Sequence, residues 1–198
     1  WSDGKIGTFG VSYEGRLQLT TASTGPPHLK AIMPEVSPFD WYWIVYKGGI
    51  YRTYFDGYGR GVSGQDLNPN NAPVDEDKDG SMLAEALKQH KGNTYSASTL
   101  AGGLLYRNSW DKAREEAQWV DRSGGDYIRG IEASGVAIYH RVGWFANTDL
   151  DQLAWYTNHA KNPRKILIGP WGSGGVTGAA EWELWSTEAL RFFDYWLK

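Results

Sequence analysis

The sequence places a serine between two glycines, in the order Gly-x-Ser-x-x-Gly over residues 10–15. A short run of β-type residues leads into this motif, and a helix-compatible segment follows it at residues 16–22. Such a sharp strand-to-helix turn, a nucleophile elbow, presents a serine hydroxyl for attack on an acyl carbon. Glycines suit the turn because its backbone is crowded and the serine is strained. The motif therefore predicts Ser12 as a nucleophile, with the Tyr13 N–H as an oxyanion donor at the helix N-terminus.

A serine hydroxyl becomes a good nucleophile only when a base takes its proton and an acid orients that base. His140 lies in the middle of a predicted strand, away from the carboxyl edge where the elbow opens, so it is a poor candidate for the base. The remaining histidines have loop or helix-end contexts that predict surface roles: His28, His90 and His159. Asp149 and Asp151 begin a predicted helix, where the helix dipole favours carboxylates; a displaced catalytic acid is the alternative.

The segments around the motif alternate between strands and helices, which favours a parallel α/β sheet. Residues 29–36 are typical of a buried strand, so the first two strands and the elbow helix predict a parallel crossover. Later elements are predicted as a strand at 135–144, a helix at 149–159, a strand at 165–169 and a helix at 187–197. In the last helix three aromatic residues would face the sheet: Phe192, Phe193 and Trp196.

The middle of the chain departs from this alternation. Residues 39–64 are rich in aromatics and glycine without a clean period, which is typical of an insertion over the strand ends. Helices are predicted at Ser81–His90 and at 110–120, the second with Asp111 facing outward. The aromatic run at 41–46 either lines an acyl-binding pocket or packs the insertion. We therefore predict an elbow and first crossover at 1–38, a cap insertion at 39–130 and the rest of the core at 131–198.

An acidic run at residues 75–80 resembles half of a calcium-binding loop, because acidic residues alternate before a glycine. The twelfth position of such a loop requires a bidentate Glu, but Ala86 occupies it. The alternative, which we favour, is an acidic turn ahead of the helix that begins at Ser81.

The composition is that of a globular domain, with 41% apolar and 22% charged residues in 198. The net charge of −3 gives no reason to expect nucleic acid or an anionic membrane as a partner. The sequence contains no cysteine, which excludes disulfides, thiolate catalysis and Cys-ligated metals. We expect a soluble protein, with the cytoplasm favoured over secretion.

Four blocks, in the same order along the whole chain, resemble the cocaine-esterase and X-Pro dipeptidyl-peptidase-like group of serine α/β-hydrolases. The first leads from residue 1 through the elbow in its Gly-x-Ser-Tyr-x-Gly form. Residues 139–145 resemble the strand before the catalytic acid, and residues 168–171 resemble the strand end before the catalytic histidine. Residues 190–198 resemble the helix that closes the hydrolase domain.

The resemblance implies an α/β-hydrolase core, a mostly parallel sheet flanked by helices, with a helical and aromatic cap insertion. It implies a serine hydrolase that acts on a small-molecule or peptide acyl substrate, without a metal or organic cofactor. Four tryptophans are candidates for substrate binding: Trp41, Trp43, Trp144 and Trp171. The chain begins just before the elbow, so we expect the preceding strands to be absent. A missing N-terminal segment or a homo-oligomer would then complete the sheet.

The sequence departs from the group's pattern at two catalytic positions. Ala146 occupies the position of the acid and Ser173 that of the histidine, although the flanking residues align without a gap. Loss of one triad member costs about 10⁴-fold in rate, and further losses add little because the members act as a unit. Two hypotheses follow: a serine hydrolase with Ser12 as nucleophile, or a catalytically inactive relative or disabled variant that only binds a ligand or partner.

Overall fold

A computed structural model describes residues 3–54, 64–92, 104–112, 115–173 and 178–198. Its strands are β1 (Ile6–Val11), β2 (Leu29–Glu35), β3 (Tyr46–Lys47), β4 (Ile50–Tyr51), β5 (Ala137–Phe145) and β6 (Arg164–Gly172). Its helices are α1 (Tyr13–Ser23), α2 (Trp41–Val45), α3 (Ser81–His90), α4 (Ile128–Ser134), α5 (Asp149–Asn158) and α6 (Ala179–Leu197). The chain divides into two compact units, Trp1–Ile44 with Trp119–Lys198, and Val45–Gln118. The second unit falls within the insertion predicted at 39–130, whose assignment as a cap stays a prediction.

The first unit is built on a four-stranded sheet in the order β1-β2-β5-β6. All neighbouring strands in it are parallel, which confirms the predicted α/β sheet and the crossover through the elbow helix. The paired residues near the carboxyl ends are Val11 with Glu35, Glu35 with Arg141, and Phe145 with Gly172. Because parallel strands end at a common edge, the residues that follow β1, β5 and β6 lie along that edge.

The hydrophobic core joins α1, α4 and α5 to the two central strands. Its buried members are Leu19, Ala22, Ile32, Ile131, Val136, Ile138 and Trp155. Strands β2 and β5 are buried over most of their length, as is typical of central strands in a parallel sheet covered on both faces. This packing fixes the position of the elbow helix relative to the strand ends.

The C-terminal helix α6 begins at Ala179 rather than at the predicted residue 187. The Glu181 carboxylate accepts a hydrogen bond from the Gly178 N–H at 2.9 Å, which starts the helix ahead of its apolar pattern. Phe192 packs edge-on against Tyr139, with ring centroids 5.5 Å apart, and so faces the sheet as predicted. Within the described ranges, neither α6 nor any other helix is long and apolar enough to cross a bilayer.

The second unit contains the antiparallel β3–β4 pair and α3, which spans the predicted residues. Asp77 caps this helix, since its carboxylate oxygens accept hydrogen bonds from the Met82 N–H at 3.1 Å and the Leu83 N–H at 2.8 Å. The buried Asp77 side chain is thereby committed to backbone donors. The acidic run therefore forms a turn ahead of the helix that begins at Ser81, which confirms the favoured interpretation.

The helix predicted at residues 110–120 is wrong in its described parts, 110–112 and 115–120. Asp111 and Glu116 instead exchange backbone hydrogen bonds of 2.8 and 3.3 Å as an antiparallel bridge. The bridge needs extended backbone on both sides, and Glu115 has a φ of 54°, which a right-handed helix excludes. Asp111 is consequently buried rather than facing outward.

Helices α1 and α4 lie close together at Gly130, where an added Cβ would lie 2.2 Å from the Ser23 carbonyl oxygen. We expect Gly130→Ala to lower the free energy of unfolding by roughly 1–3 kcal/mol, because the helices must separate to admit a methyl group. Urea unfolding followed by tryptophan fluorescence measures this change. Gly125→Ala is the matched control, since a Cβ there meets nothing within 4 Å. Equal losses in the two variants would contradict the close approach at Gly130.

Candidate active site

Three positions identified in the sequence follow three strands of the sheet. Ser12 follows β1, Ala146 follows β5 and Ser173 follows β6. All three therefore lie at the carboxyl edge of the parallel sheet, where open α/β sheets bind ligands. Strand β2 separates β1 from β5, so the first two positions are about two strand spacings apart, roughly 10 Å. The fold thus gathers at one edge the positions predicted for the nucleophile, the acid and the histidine.

Ser12 has the strained backbone that an elbow requires. Its φ of 60° and ψ of −117° lie outside the regions that non-glycine residues favour. The Ser12 N–H donates to the Glu35 carbonyl oxygen at 2.8 Å. The Ser12 carbonyl oxygen accepts from the Arg16 N–H at 3.0 Å in the first turn of α1. The serine is exposed, as a nucleophile must be to reach a substrate.

The two glycines of the motif are required by close approach. A Cβ on Gly15 would lie 2.5 Å from the Ser37 Oγ and 2.6 Å from the Glu35 carbonyl oxygen. A Cβ on Gly10 would lie 2.7 Å from the Cβ of Glu14. The elbow helix can lie this close to the end of β2 only because residue 15 has no side chain.

The N-terminus of α1 lies directly behind Ser12. Tyr13 is the first helical residue, and N–H groups in the first turn have no carbonyl partner within the helix. The helix dipole adds partial positive charge at this end. These properties suit the Tyr13 N–H to the oxyanion role that the sequence predicts, and that role stays a prediction.

The acid and histidine positions hold groups that cannot act as acid and base. Ala146 is buried, and its N–H donates to the Gly143 carbonyl oxygen at 3.0 Å. The Ser173 Oγ accepts a hydrogen bond from the Asn147 N–H at 3.2 Å. A methyl group accepts no proton, and a serine hydroxyl is not a base near neutral pH. The two strand ends that would carry the acid and the histidine are instead joined directly to each other.

Asp151, the alternative acid, is buried and binds backbone donors. Its Oδ1 accepts hydrogen bonds from the Phe39 N–H at 2.8 Å and the Asp40 N–H at 2.9 Å. It thereby holds the chain that leads into α2. Asp149 lies in the first turn of α5, where the helix dipole favours a carboxylate. These are the positions and contacts that the structural interpretation of both residues implies.

His140 and His159 form a buried pair, with their Nε2 atoms 2.6 Å apart and their rings stacked. The Gln152 side chain determines where the protons lie. Its oxygen accepts from the Ser37 N–H at 2.7 Å, so its NH₂ group donates to the Pro34 carbonyl oxygen at 2.8 Å. The same NH₂ group donates to the His140 Nδ1 at 2.7 Å. His140 must then carry its proton on Nε2 and donate it to His159.

This network excludes His140 as the base for Ser12, because the ring is fully buried and both nitrogens are engaged. His159 is also fully buried, so the surface role predicted for it is wrong: the end of α5 packs its ring against β5. Burial, with the neighbouring His159 and Arg164 charges, holds the pKa of His140 well below 6.5. Burial lowers the pKa of His159 to about 4. Both rings are therefore neutral at pH 7.

The other two histidines have partners of their own. His28 is exposed, and its Nδ1 lies 2.8 Å from the Gly4 carbonyl oxygen. His90 pairs with Asp66 at 2.9 Å. Among the described residues, no three His, Asp or Glu side chains are grouped in a way that could hold a metal ion.

The four tryptophans predicted to bind substrate differ in exposure. The accessible ones are Trp144, 55% exposed, and Trp43, 37% exposed. Trp41 is partly buried, and Trp171 is only 7% exposed. The Trp171 ring folds back over Gly169, where a Cβ would lie 1.9 Å from it. The substrate role of all four stays a prediction, and Trp144 offers the largest accessible surface for it.

An ion pair at the carboxyl edge was missed by the sequence analysis. Arg141 in β5 donates to the Glu35 carboxylate in β2, and both side chains are buried. The Trp185 Nε1–H donates to the other Glu35 oxygen at 2.7 Å. The signal was present, because each charge interrupts an otherwise apolar strand and a buried charge needs a partner. The pairing register that places them opposite each other comes only from the folded sheet.

A parallel sheet with a strained serine at a strand-to-helix turn, and with further site positions at the ends of later strands, defines an α/β-hydrolase core. The chain belongs to the X-Pro dipeptidyl-peptidase family, the S15 family, which it matches over residues 1–173. This match confirms the resemblance identified from the four sequence blocks.

Individual proteins are also similar to this chain. A candidate serine esterase of Mycobacterium bovis is 27% identical over 242 aligned positions, which cover 100% of this chain and 38% of the relative. The cocaine esterase of a Rhodococcus species is 25% identical, with 90% of this chain and 33% of the relative covered. A crystal structure of a CocE/NonD family hydrolase from Staphylococcus aureus superposes with a TM-score of 0.63 at 21% identity, over 100% of this chain and 30% of that one. The chain thus spans about a third of the length of these proteins.

We expect the free energy of unfolding to fall as the pH is lowered from about 6.5 to about 4. The unfolded chain takes up protons at the ordinary histidine pKa, whereas the folded chain resists protonation down to the lowered pKa. The unfolded state therefore binds more protons throughout this window. For His159 alone the loss amounts to about 3 kcal/mol, at about 1.4 kcal/mol for each pH unit. Urea unfolding at a series of pH values measures the slope.

The slope can be assigned with two variants. His159→Gln removes one buried titrating group. The slope of the unfolding free energy against pH should therefore decrease by the amount that corresponds to about one bound proton. His28→Gln, a substitution outside the buried pair, is the control. The same slope in the His159→Gln variant and the unsubstituted chain would show that the buried pair is not its source.

Proposed function

We propose that this chain carries the nucleophile of a serine hydrolase that cleaves the ester or amide bond of a small-molecule or peptide acyl substrate, X-Pro dipeptidyl substrates included. The observation that carries the proposal is Ser12 itself, exposed at the end of β1 in a strained conformation with the N-terminus of α1 behind it. Membership of the S15 family supports the reaction class, and the esterase names of two relatives support the range of substrates.

In this reaction the Ser12 Oγ attacks the acyl carbon, and the Tyr13 N–H stabilises the negative charge that develops on the carbonyl oxygen. Collapse of the tetrahedral intermediate expels an alcohol or amine and leaves an acyl-serine. Water then hydrolyses the acyl-serine to a carboxylic acid and restores the serine hydroxyl. The serine proton must reach the leaving group, and in a triad the histidine carries it. With Ala146 and Ser173 in place, solvent must carry it, so acylation of the chain as it stands is slow.

A second function, ligand binding without turnover, is favoured by the hydrogen bond between the Asn147 N–H and the Ser173 Oγ. This bond joins the two strand ends on which the acid and the histidine would act. An edge that keeps the exposed Trp144 ring but holds no base would bind an acyl ligand and release it unchanged. A catalytically inactive relative and a disabled variant both have this behaviour.

The two functions separate in a variant with both catalytic positions restored, Ala146→Asp with Ser173→His. We expect hydrolysis of a p-nitrophenyl ester, and the rate of labelling by a fluorophosphonate probe, to rise by about 10⁴-fold over the unsubstituted chain. Each single substitution should achieve little, because the triad members act as a unit. Mass spectrometry of the labelled peptide should place the probe on Ser12.

Adding Ser12→Ala to the restored variant is the control, and it should abolish both hydrolysis and labelling. No gain in the restored variant would contradict the hydrolase proposal for this chain, and would mean that the two substitutions are not what limits hydrolysis. Rapid labelling of Ser12 in the unsubstituted chain would show instead that a group other than a restored histidine activates it.

A further inference from the structure

Two non-glycine residues at the carboxyl edge of the sheet have positive φ angles. Ser12, after β1, has a φ of 60°, and Val36, after β2, has a φ of 51°. The second is the more unusual, because a β-branched side chain in this region clashes with its own backbone. Strained residues of this kind persist only where the surrounding structure holds them in place.

Backbone hydrogen bonds hold both strained residues. The Ser12 N–H donates to the Glu35 carbonyl oxygen at 2.8 Å, and the Val36 N–H donates to the Arg141 carbonyl oxygen at 3.2 Å. The two acceptors belong to residues that pair directly across β2 and β5. A single cross-strand pair therefore supplies the acceptor for each strained N–H.

The side chains of the same two residues form the buried ion pair. The exposed fraction is 1% for the Glu35 side chain and 6% for the Arg141 side chain. Glu35 also accepts the Trp185 indole N–H from α6 at 2.7 Å, and the Arg141 guanidinium lies over the Trp185 ring at 4.9 Å. Burial raises the pKa of Glu35, and the hydrogen bond from Arg141 opposes that rise.

A buried ion pair is weak evidence for stability, because desolvation offsets most of the attraction between the charges. Its geometric effect here is specific. It fixes β2 against β5 at the level of the elbow, five residues before Ala146 in the chain, and it connects both strands to α6, which follows Ser173.

We propose that Glu35 and Arg141 are positioning residues for Ser12, holding the elbow in its strained conformation through their backbone oxygens while their side chains lock β2 to β5. We call the Glu35–Arg141 pair the clamp. Its role in catalysis rests on the proposed function, in which Ser12 is the nucleophile. The clamp itself is a structural property and can be tested without any activity.

The direct test is amide hydrogen exchange followed by NMR in the Glu35→Gln variant. Gln keeps the size of the side chain and one acceptor oxygen but removes the charge that Arg141 requires. We expect exchange at the Ser12 and Val36 amides to become at least about 10-fold faster than in the unsubstituted chain, with a smaller change at core amides such as Ile138. A general loss of stability would accelerate the slowest core amides as well, which separates the two effects.

Glu188→Gln is the matched control. Glu188 also joins α6 to the sheet, because its carboxylate accepts from Lys165 and from the Tyr139 hydroxyl, but both partners lie near the amino ends of β6 and β5. This variant should leave exchange at Ser12 and Val36 unchanged. Equal acceleration at Ser12 in the two variants would overturn the proposal.

If Glu35→Gln does not fold, Trp185→Phe tests the same clamp more gently, since it removes one donor to Glu35 and keeps an aromatic ring. It should accelerate exchange at Ser12 by about 3-fold, and no change at Ser12 would overturn the proposal. In the restored Ala146→Asp, Ser173→His chain, Trp185→Phe should lower kcat more than it raises KM. A restored chain without activity would count against the proposed function alone, because the exchange experiment does not depend on turnover.

Discussion

The hydrogen bond from the Ser12 N–H to the Glu35 carbonyl oxygen is the interaction on which the elbow depends. A strained residue costs about 1–3 kcal/mol, so it persists only where neighbours leave the backbone no relaxed alternative. Here the end of β2 supplies the acceptor, and the missing side chain of Gly15 lets α1 lie directly against it. A side chain at residue 15 would push α1 away from the end of β2 and break the hydrogen bond that holds Ser12. The neighbouring strand is thus part of the elbow.

The segment that supports the elbow, residues 34–37, is held from both faces of the sheet. Consecutive residues of a strand point to opposite faces, so His140 and Arg141 in β5 reach different layers. On one face Gln152 binds the backbone at Pro34 and Ser37 and connects it to the buried histidine pair. On the other face Arg141 binds Glu35 beneath α6. Gln152, His140, Glu35 and Arg141 are all buried, and the partners of each side chain determine its orientation.

This construction explains how the site can keep its geometry while its chemistry changes. The three site positions lie at strand ends, and strand pairing is made by backbone groups. The pairing of β5 with β6 therefore does not depend on whether residue 146 is an acid or an alanine, or on whether residue 173 is a histidine or a serine. The Asn147–Ser173 hydrogen bond even retains a connection between the two strand ends. Under the hydrolase proposal, replacing the triad partners lowers the reactivity of Ser12 without requiring any change in the sheet or in the elbow.

The sequence by itself determined the order of strands and helices, the elbow and the family, because these depend on local patterns: alternating apolar runs, glycine spacing and short motifs. It also predicted the positions of the acid and the histidine at Ala146 and Ser173, since each follows a recognisable strand. It failed where the outcome depends on which residues pair with each other in the folded chain. The bridge between Asp111 and Glu116 replaced a helix-compatible pattern, and the predicted surface residue His159 became the buried partner of His140. The pairing of Glu35 with Arg141 was beyond it for the same reason. Which side chains face each other across a sheet is set by strand order and register, and those arise only when the whole core packs.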